Sequence, residues 1–112
     1  MHANLNMKSI VISIFLILLI GILNKPVLAD DIALGKAKSE TCLGCHAIPG
    51  YNNVYPTYKV PKLGGQHAEY IKIALISYRD QERSHNTMHA NAASLTDEDI
   101  DHIAKYFESI TK

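Results

Sequence analysis

Apolar and polar residues alternate along this chain with spacings that change from segment to segment. Ile10 to Leu23 is an apolar run interrupted only by Ser13 and Gly21. From Asp31 to about Thr41, Ile32, Ala33, Leu34 and Ala37 are apolar, acids stand at the start, and Lys36 and Lys38 follow. That order suits a helix dipole and predicts a first helix. Gln66 to Tyr78 places Tyr70, Ile71, Ala74, Leu75 and Tyr78 on one stripe, widened by Ile73 and Ile76, which predicts a second. The last helix has the clearest start: Thr96 as N-cap, Asp99 three residues on, and Leu95 positioned to staple to Ile100. Asp97, Glu98 and Asp99 load its first turn, Ile100, Ile103, Ala104, Phe107 and Ile110 form its apolar stripe, and Lys105 and Lys112 come later. Residues 47–65 and 79–91 show no period and read as loops. With no repeats and no strand-like alternation, the pattern predicts an all-α domain of three main helices and two long loops. Gly35 costs the first helix about 0.5–1 kcal/mol relative to alanine. It marks either a close helix crossing or a tolerated glycine.

The N-terminal apolar run changes what counts as the domain. Lys8 precedes it, Asn24-Lys25-Pro26 ends it, and Val27-Leu28-Ala29 leads into Asp30. A positive region, an apolar region and an A-x-A-like site in that order predict a secretory signal peptide over residues 1–29. The run is shorter than the ~20 residues of a spanning helix; an uncleaved membrane anchor is the alternative. The remaining domain, residues 30–112, loses Lys8 and Lys25 from the eleven basic residues, leaving nine against eleven acids and a net charge of −2. No basic nucleic-acid footprint exists. A domain this small is marginal as a self-sufficient apolar core. Its composition asks for a cofactor.

The candidate is in Cys42-Leu43-Gly44-Cys45-His46, which holds both cysteines of the chain. Two thiols at this spacing can add across the two vinyl groups of a haem, and the adjacent histidine can then meet the iron. A zinc site needs two further ligands at similar spacing, and no second thiol pair exists. A thioredoxin-like pair needs a βαβ context that this sequence lacks; a purely structural pair is the bland reading. Thiols consumed as thioethers also explain the lack of a disulfide in an exported protein. Residues 47–65 carry Tyr51, Tyr55 and Tyr58 among prolines, glycines and asparagines, a composition suited to wrapping a large flat cofactor.

On the haem reading His46 is the proximal ligand, and the opposite position has several candidates. Met88 is the one methionine outside the export segment and falls in the polar 79–91 stretch, where a gap-filling core role explains it poorly. Thioether ligation favours ferrous iron and raises the potential. His85 and His89 flank it and are competent rivals. His67 and His102 read as solvated surface histidines. A ligating histidine donates its other N–H to a carbonyl or carboxylate; Pro61 is the first candidate for that carbonyl and Pro56 the second, unless both prolines only stiffen the loop.

These residues resemble class I c-type cytochromes, most of all the bacterial cytochrome c-four and c-five kind, across essentially all of residues 30–112. The resemblance is carried by Gly35-Lys36-Ala37-Lys38, by Cys42-Leu43-Gly44-Cys45-His46 and by Pro61-Lys62-Leu63-Gly64-Gly65-Gln66-His67-Ala68-Glu69-Tyr70-Ile71. Tyr78-Arg79, Arg83, Met88 and Leu95-Thr96-Asp97-Glu98-Asp99-Ile100 with Ala104, Tyr106 and Phe107 extend it. It implies a class I cytochrome c-like fold wrapped round one covalently attached haem c, with the first and last helices crossing near Gly35 against Tyr106 or Phe107. It implies Cys42 and Cys45 as thioether attachments, His46 and Met88 as iron ligands, and Pro61 as the carbonyl partner of His46. Gln81 stands where the group often has glycine, and one domain stands where the c-four kind has two.

The expected function is periplasmic electron transfer, cycling Fe(III)/Fe(II) without catalysis of its own. Expected partners are redox proteins of a respiratory or oxidative chain, with membrane contact only through partner complexes and a monomeric or weakly dimeric state. Lys59, Lys62 and Lys72 are candidates to ring the haem edge. The alternatives are a haem-carrying subunit of a dehydrogenase or oxidase, docking through Tyr51–Tyr58, or a ligand-binding haem sensor.

Overall fold

The computed structural model describes residues 7–22 and 27–111. In chain order these form α1 (Met7–Ile22), α2 (Val27–Lys38), α3 (Glu40–His46), β1 (Asn52–Val54), β2 (Thr57–Lys59), α4 (Ala68–Arg79), α5 (Asn86–Ala92) and α6 (Asp97–Ser109). The three expected helices correspond to α2, α4 and α6. Asn24-Lys25-Pro26, the expected end of the export segment, and Lys112 lie outside the described residues. α1 leaves Val11, Ile12, Phe15, Leu16 and Ile17 exposed. Among the described residues no helix is long and apolar enough to cross a membrane.

α6 is central. Its start is the capping box read from the sequence: the Thr96 hydroxyl accepts from Asp99 N–H at 3.1 Å, and the Asp99 carboxylate accepts from Thr96 N–H at 3.0 Å. Its apolar stripe supplies Ile100, Ile103, Ala104 and Phe107 to the core, which Ile71 and Leu75 of α4 and Ala92 of α5 complete. Leu95 packs against the same cluster, as the staple predicts.

α2 crosses α6 at Gly35. A methyl there would come within 2.6 Å of the His102 carbonyl carbon and 2.8 Å of Tyr106 Cβ, so the glycine is a close crossing rather than a tolerated one. Tyr106, not Phe107, faces it. The crossing also corrects the reading of His102 as a solvated surface histidine. α2 covers that flank of α6 and leaves His102 buried, with Nε2 3.6 Å from the Asp31 carboxylate. Ion pairs lace the three helices together: Lys38 with Asp99, Lys105 with Asp31 and Asp101 at 2.7 Å each, and Lys72 with Asp101 at 3.0 Å. Lys72, a candidate for the haem edge, is therefore engaged in this network.

Three elements depart from the sequence pattern. The first helix starts earlier than Asp31 and bends at the fully buried Ser39, so the cysteine motif lies within a separate helix, α3, rather than following a helix end. Residues 47–65 contain a short antiparallel hairpin, with Asn52 opposite Lys59 and Val54 opposite Thr57. Three-residue strands are too short to show alternation in sequence. Residues 79–91 contain α5. A seven-residue polar helix does not hold by propensity alone; here Ala92 is fully buried in the core and the His85 ring caps the N-terminus, accepting from Met88 N–H.

Candidate haem site

α3 puts Cys42 and Cys45 three residues apart, on one face of a helix. Both thiols are half-buried and unbonded to each other. Burial pushes the Cys42 thiol up from its ordinary value. His46 ends the same helix and is buried. Its Nδ1 lies 2.7 Å from the Pro61 carbonyl oxygen. A carbonyl only accepts, so Nδ1 carries the proton and Nε2 is left with its lone pair bare. That is the tautomer a metal-ligating imidazole needs, with the ring fixed by a backbone acceptor. Pro56, the second candidate, instead accepts from the Asn53 side chain at 2.7 Å. Among the described residues no cluster of three or more His, Cys, Asp or Glu side chains could cage a metal ion.

The Pro61 carbonyl is held from both sides. Upstream, Val60 is buried and its N–H donates to the Tyr51 carbonyl at 2.9 Å. Downstream, Gly65 takes a left-handed φ of 78° and its N–H donates to the Phe107 carbonyl of α6 at 2.8 Å. Glu108 of α6 then accepts from Ala68 N–H at 3.0 Å, capping α4 in place of the exposed His67.

Met88 lies on α5 rather than in a loop, half-buried against the core that Cys42 also touches. Its helical, packed position corrects the reading that a core contact explains it poorly. The polar letters around it hid that contact, because the α5 side chains that pack on the apolar core are Met88 and Ala92, four residues apart. His85 stacks edge-on against Tyr58, with centroids 4.7 Å apart, while its Nδ1 accepts from Met88 N–H at 3.4 Å. His89 is engaged at Nδ1 by the Tyr78 carbonyl at 2.9 Å and at Nε2 by the Gln81 amide nitrogen at 3.0 Å. Gln81 adopts φ 62°, so the backbone keeps the left-handed turn that glycine favours, at a cost of about 1–2 kcal/mol.

Tyr58 was not singled out by the sequence as part of this constellation. Its hydroxyl donates to Thr87 Oγ1 at 3.2 Å, tying the hairpin to α5 across 29 residues of chain, and no local pattern announces such a contact. Lys59 and Lys62 are exposed. So are Val54 and Tyr55 at the hairpin tip, at 83% and 94% of their surface.

A buried histidine fixed on a carbonyl, directly after a Cys-x-x-Cys pair on one short helix, is matched at the level of families: residues 32–111 fit the family model Cytochrome c. The chain belongs to the cytochrome c family. It is 39% identical over 84 residues to cytochrome c-554(548) of Halomonas halodenitrificans, an alignment covering 72% of this chain and 98% of that protein. It is 33% identical to the cytochrome subunit of sulfide dehydrogenase of Chlorobaculum tepidum, over 70% of this chain and 67% of that one. Its fold is similar to the crystal structure of reduced recombinant cytochrome c4 from Pseudomonas stutzeri, with a TM-score of 0.57 and 29% identity over 78% of this chain and 50% of the other. The protein is a class I c-type cytochrome of the cytochrome c4 kind. The cofactor of this family is covalent haem c, and its work is haem-based electron transfer. The half-buried thiols, the bare Nε2 of His46 and the half-buried thioether of Met88 are a donor set that fits this group.

Proposed function

We propose that this protein is a periplasmic single-haem electron carrier with His46 and Met88 as axial ligands. The observation that carries the proposal is the His46 ring: buried, fixed at Nδ1 by Pro61, and open at Nε2 beside two free thiols. Cys42 and Cys45 hold the haem through thioether bonds. Reversible one-electron exchange between Fe(III) and Fe(II) is the chemistry the haem supplies when bound. Met88 contributes a soft thioether that favours the ferrous state and raises the potential. The Pro61 carbonyl orients His46 and makes its ligating nitrogen more basic. The chain reaches the periplasm by the signal over residues 1–29, on the strength of its charged, apolar and small-residue pattern. It exchanges electrons with redox proteins of a respiratory or oxidative chain and carries out no catalysis of its own.

A second reading, an electron-transfer subunit of a dehydrogenase, is favoured by the exposed Val54 and Tyr55 together with the likeness to a dehydrogenase's cytochrome subunit. Co-purification with a larger partner, abolished by Tyr55→Ser, would choose it over the free carrier.

The carrier reading is tested on the exported protein by a pyridine haemochrome assay and by absorption spectra in both oxidation states. One c-type haem with a far-red thioether-to-iron band is expected. Met88→Ala should keep the covalent haem and lose that band; persistence of the band would remove Met88 from the ligand set.

A further inference from the structure

His89 stands one residue from Met88, and imidazole competes with thioether for haem iron. The tautomer of its neutral ring is set by its partners. The Tyr78 carbonyl at 2.9 Å can only accept, so Nδ1 carries the proton. The Gln81 amide nitrogen at 3.0 Å can only donate, so Nε2 is the bare nitrogen. This is the ligating form of the ring, and the Gln81 amide occupies its lone pair.

His85 is held differently. Its Nδ1 accepts from Met88 N–H, so a neutral ring carries its proton on Nε2. Coordination through Nε2 would require moving that proton to Nδ1 and giving up the N-cap of α5. His85 is thus restrained by its tautomer; His89 keeps a ligating tautomer on the Tyr78 carbonyl, and the nitrogen it would ligate through is covered by one side chain, Gln81. Gln81 delivers that side chain from a left-handed backbone, φ 62°, where glycine would make the same turn without strain and without an amide.

We propose that Gln81 is a positioning residue that keeps His89 off the iron and so reserves the sixth position for Met88. The proposal rests on the assignment of Met88 as ligand made above. Its chemistry is selection between two donors carried by neighbouring residues of one short helix.

The test uses ferric, haem-loaded protein at neutral pH and reads two signatures, the thioether-to-iron band and the low-spin electron paramagnetic resonance spectrum. Wild type and His89→Ala should both show the full band. Gln81→Gly should lose part of the band and gain a bis-imidazole signal. The double variant Gln81→Gly with His89→Ala should recover the band. Gln81→Asn, which tolerates the left-handed backbone but is a methylene shorter, should behave as Gln81→Gly does. This variant separates loss of reach from any change in the turn. An undiminished band in both Gln81 variants overturns the proposal, as does a double variant that stays deficient. A wild-type protein without the band overturns the Met88 assignment itself, and this inference with it.

Discussion

His46 and Pro61 are joined by a hydrogen bond of 2.7 Å from ring Nδ1 to backbone carbonyl, across fifteen residues of chain. The segment between them, the hairpin included, is closed by that bond, and its far end is anchored by Val60 N–H on the Tyr51 carbonyl and Gly65 N–H on the Phe107 carbonyl. Deleting two residues of the hairpin, Tyr55 and Pro56, should leave the proximal bond in place, because both anchors lie outside the deletion. Pro61→Gly should loosen it. The expected result is a higher reduction potential, since a less basic imidazole stabilises ferric iron less. Potentiometric titration checks this; an unchanged potential would mean that the carbonyl does not tune the ligand.

Gly35→Ala should destabilise the domain by about 1–3 kcal/mol, the usual cost of overpacking. The added methyl meets the backbone of His102 and Cβ of Tyr106, and neither can swing away as a flexible chain end would. Thermal melting of wild type and variant decides it. An equal melting temperature would mean that the two helices do not cross this closely.

Asp99 should make stability depend on pH in the acid range. The Lys38 ammonium beside it, helped by the Thr96 N–H and hydroxyl, holds its carboxyl well below the usual carboxylate range. A group whose folded pKa is depressed stabilises the fold fully above its unfolded value, about 4, and loses that contribution as pH falls toward the folded value. Asp99→Asn keeps an acceptor for the Thr96 N–H but removes the charge. The variant should be less stable than wild type at neutral pH, with the gap closing below about pH 4. Denaturant melts at both pH values test the sign; a gap that widens in acid would refute it. Salt should also narrow the gap, because the pair is exposed.

Replacing Cys42 and Cys45 together by alanine should yield little folded, exported protein. The core formed by α4, α5 and α6 is small, and Cys42, Leu43 and Met88 lie half-buried at its margin. Circular dichroism of any apo-domain recovered gives the answer. Native helicity and a cooperative melt without haem would show that the polypeptide core suffices.

Features whose signals are local can be read along the chain. Thr96 and Asp99 are three residues apart and cap each other, so the start of α6 is legible from five letters. The stripes of α4 and α6 recur at helical spacing because each helix buries one face. The Cys-x-x-Cys-His motif is likewise contained in a single turn and a half, and with the flanking segments it pointed to the family.

Features that depend on contacts between distant segments emerge only when those segments pack. Gly35 is equally compatible with a crossing or with none until α6 lies against it. His102 reads as surface on its own helix and is buried by α2, with Asp31 as its polar neighbour. α5 is too short and too polar to form alone, and exists because Ala92 and Met88 reach the core. The two rings beside Met88 are told apart only by which carbonyl, amide or N–H each one meets. Local spacing encodes what one segment can do; burial and partnership are properties of pairs of segments, and those are written in three dimensions.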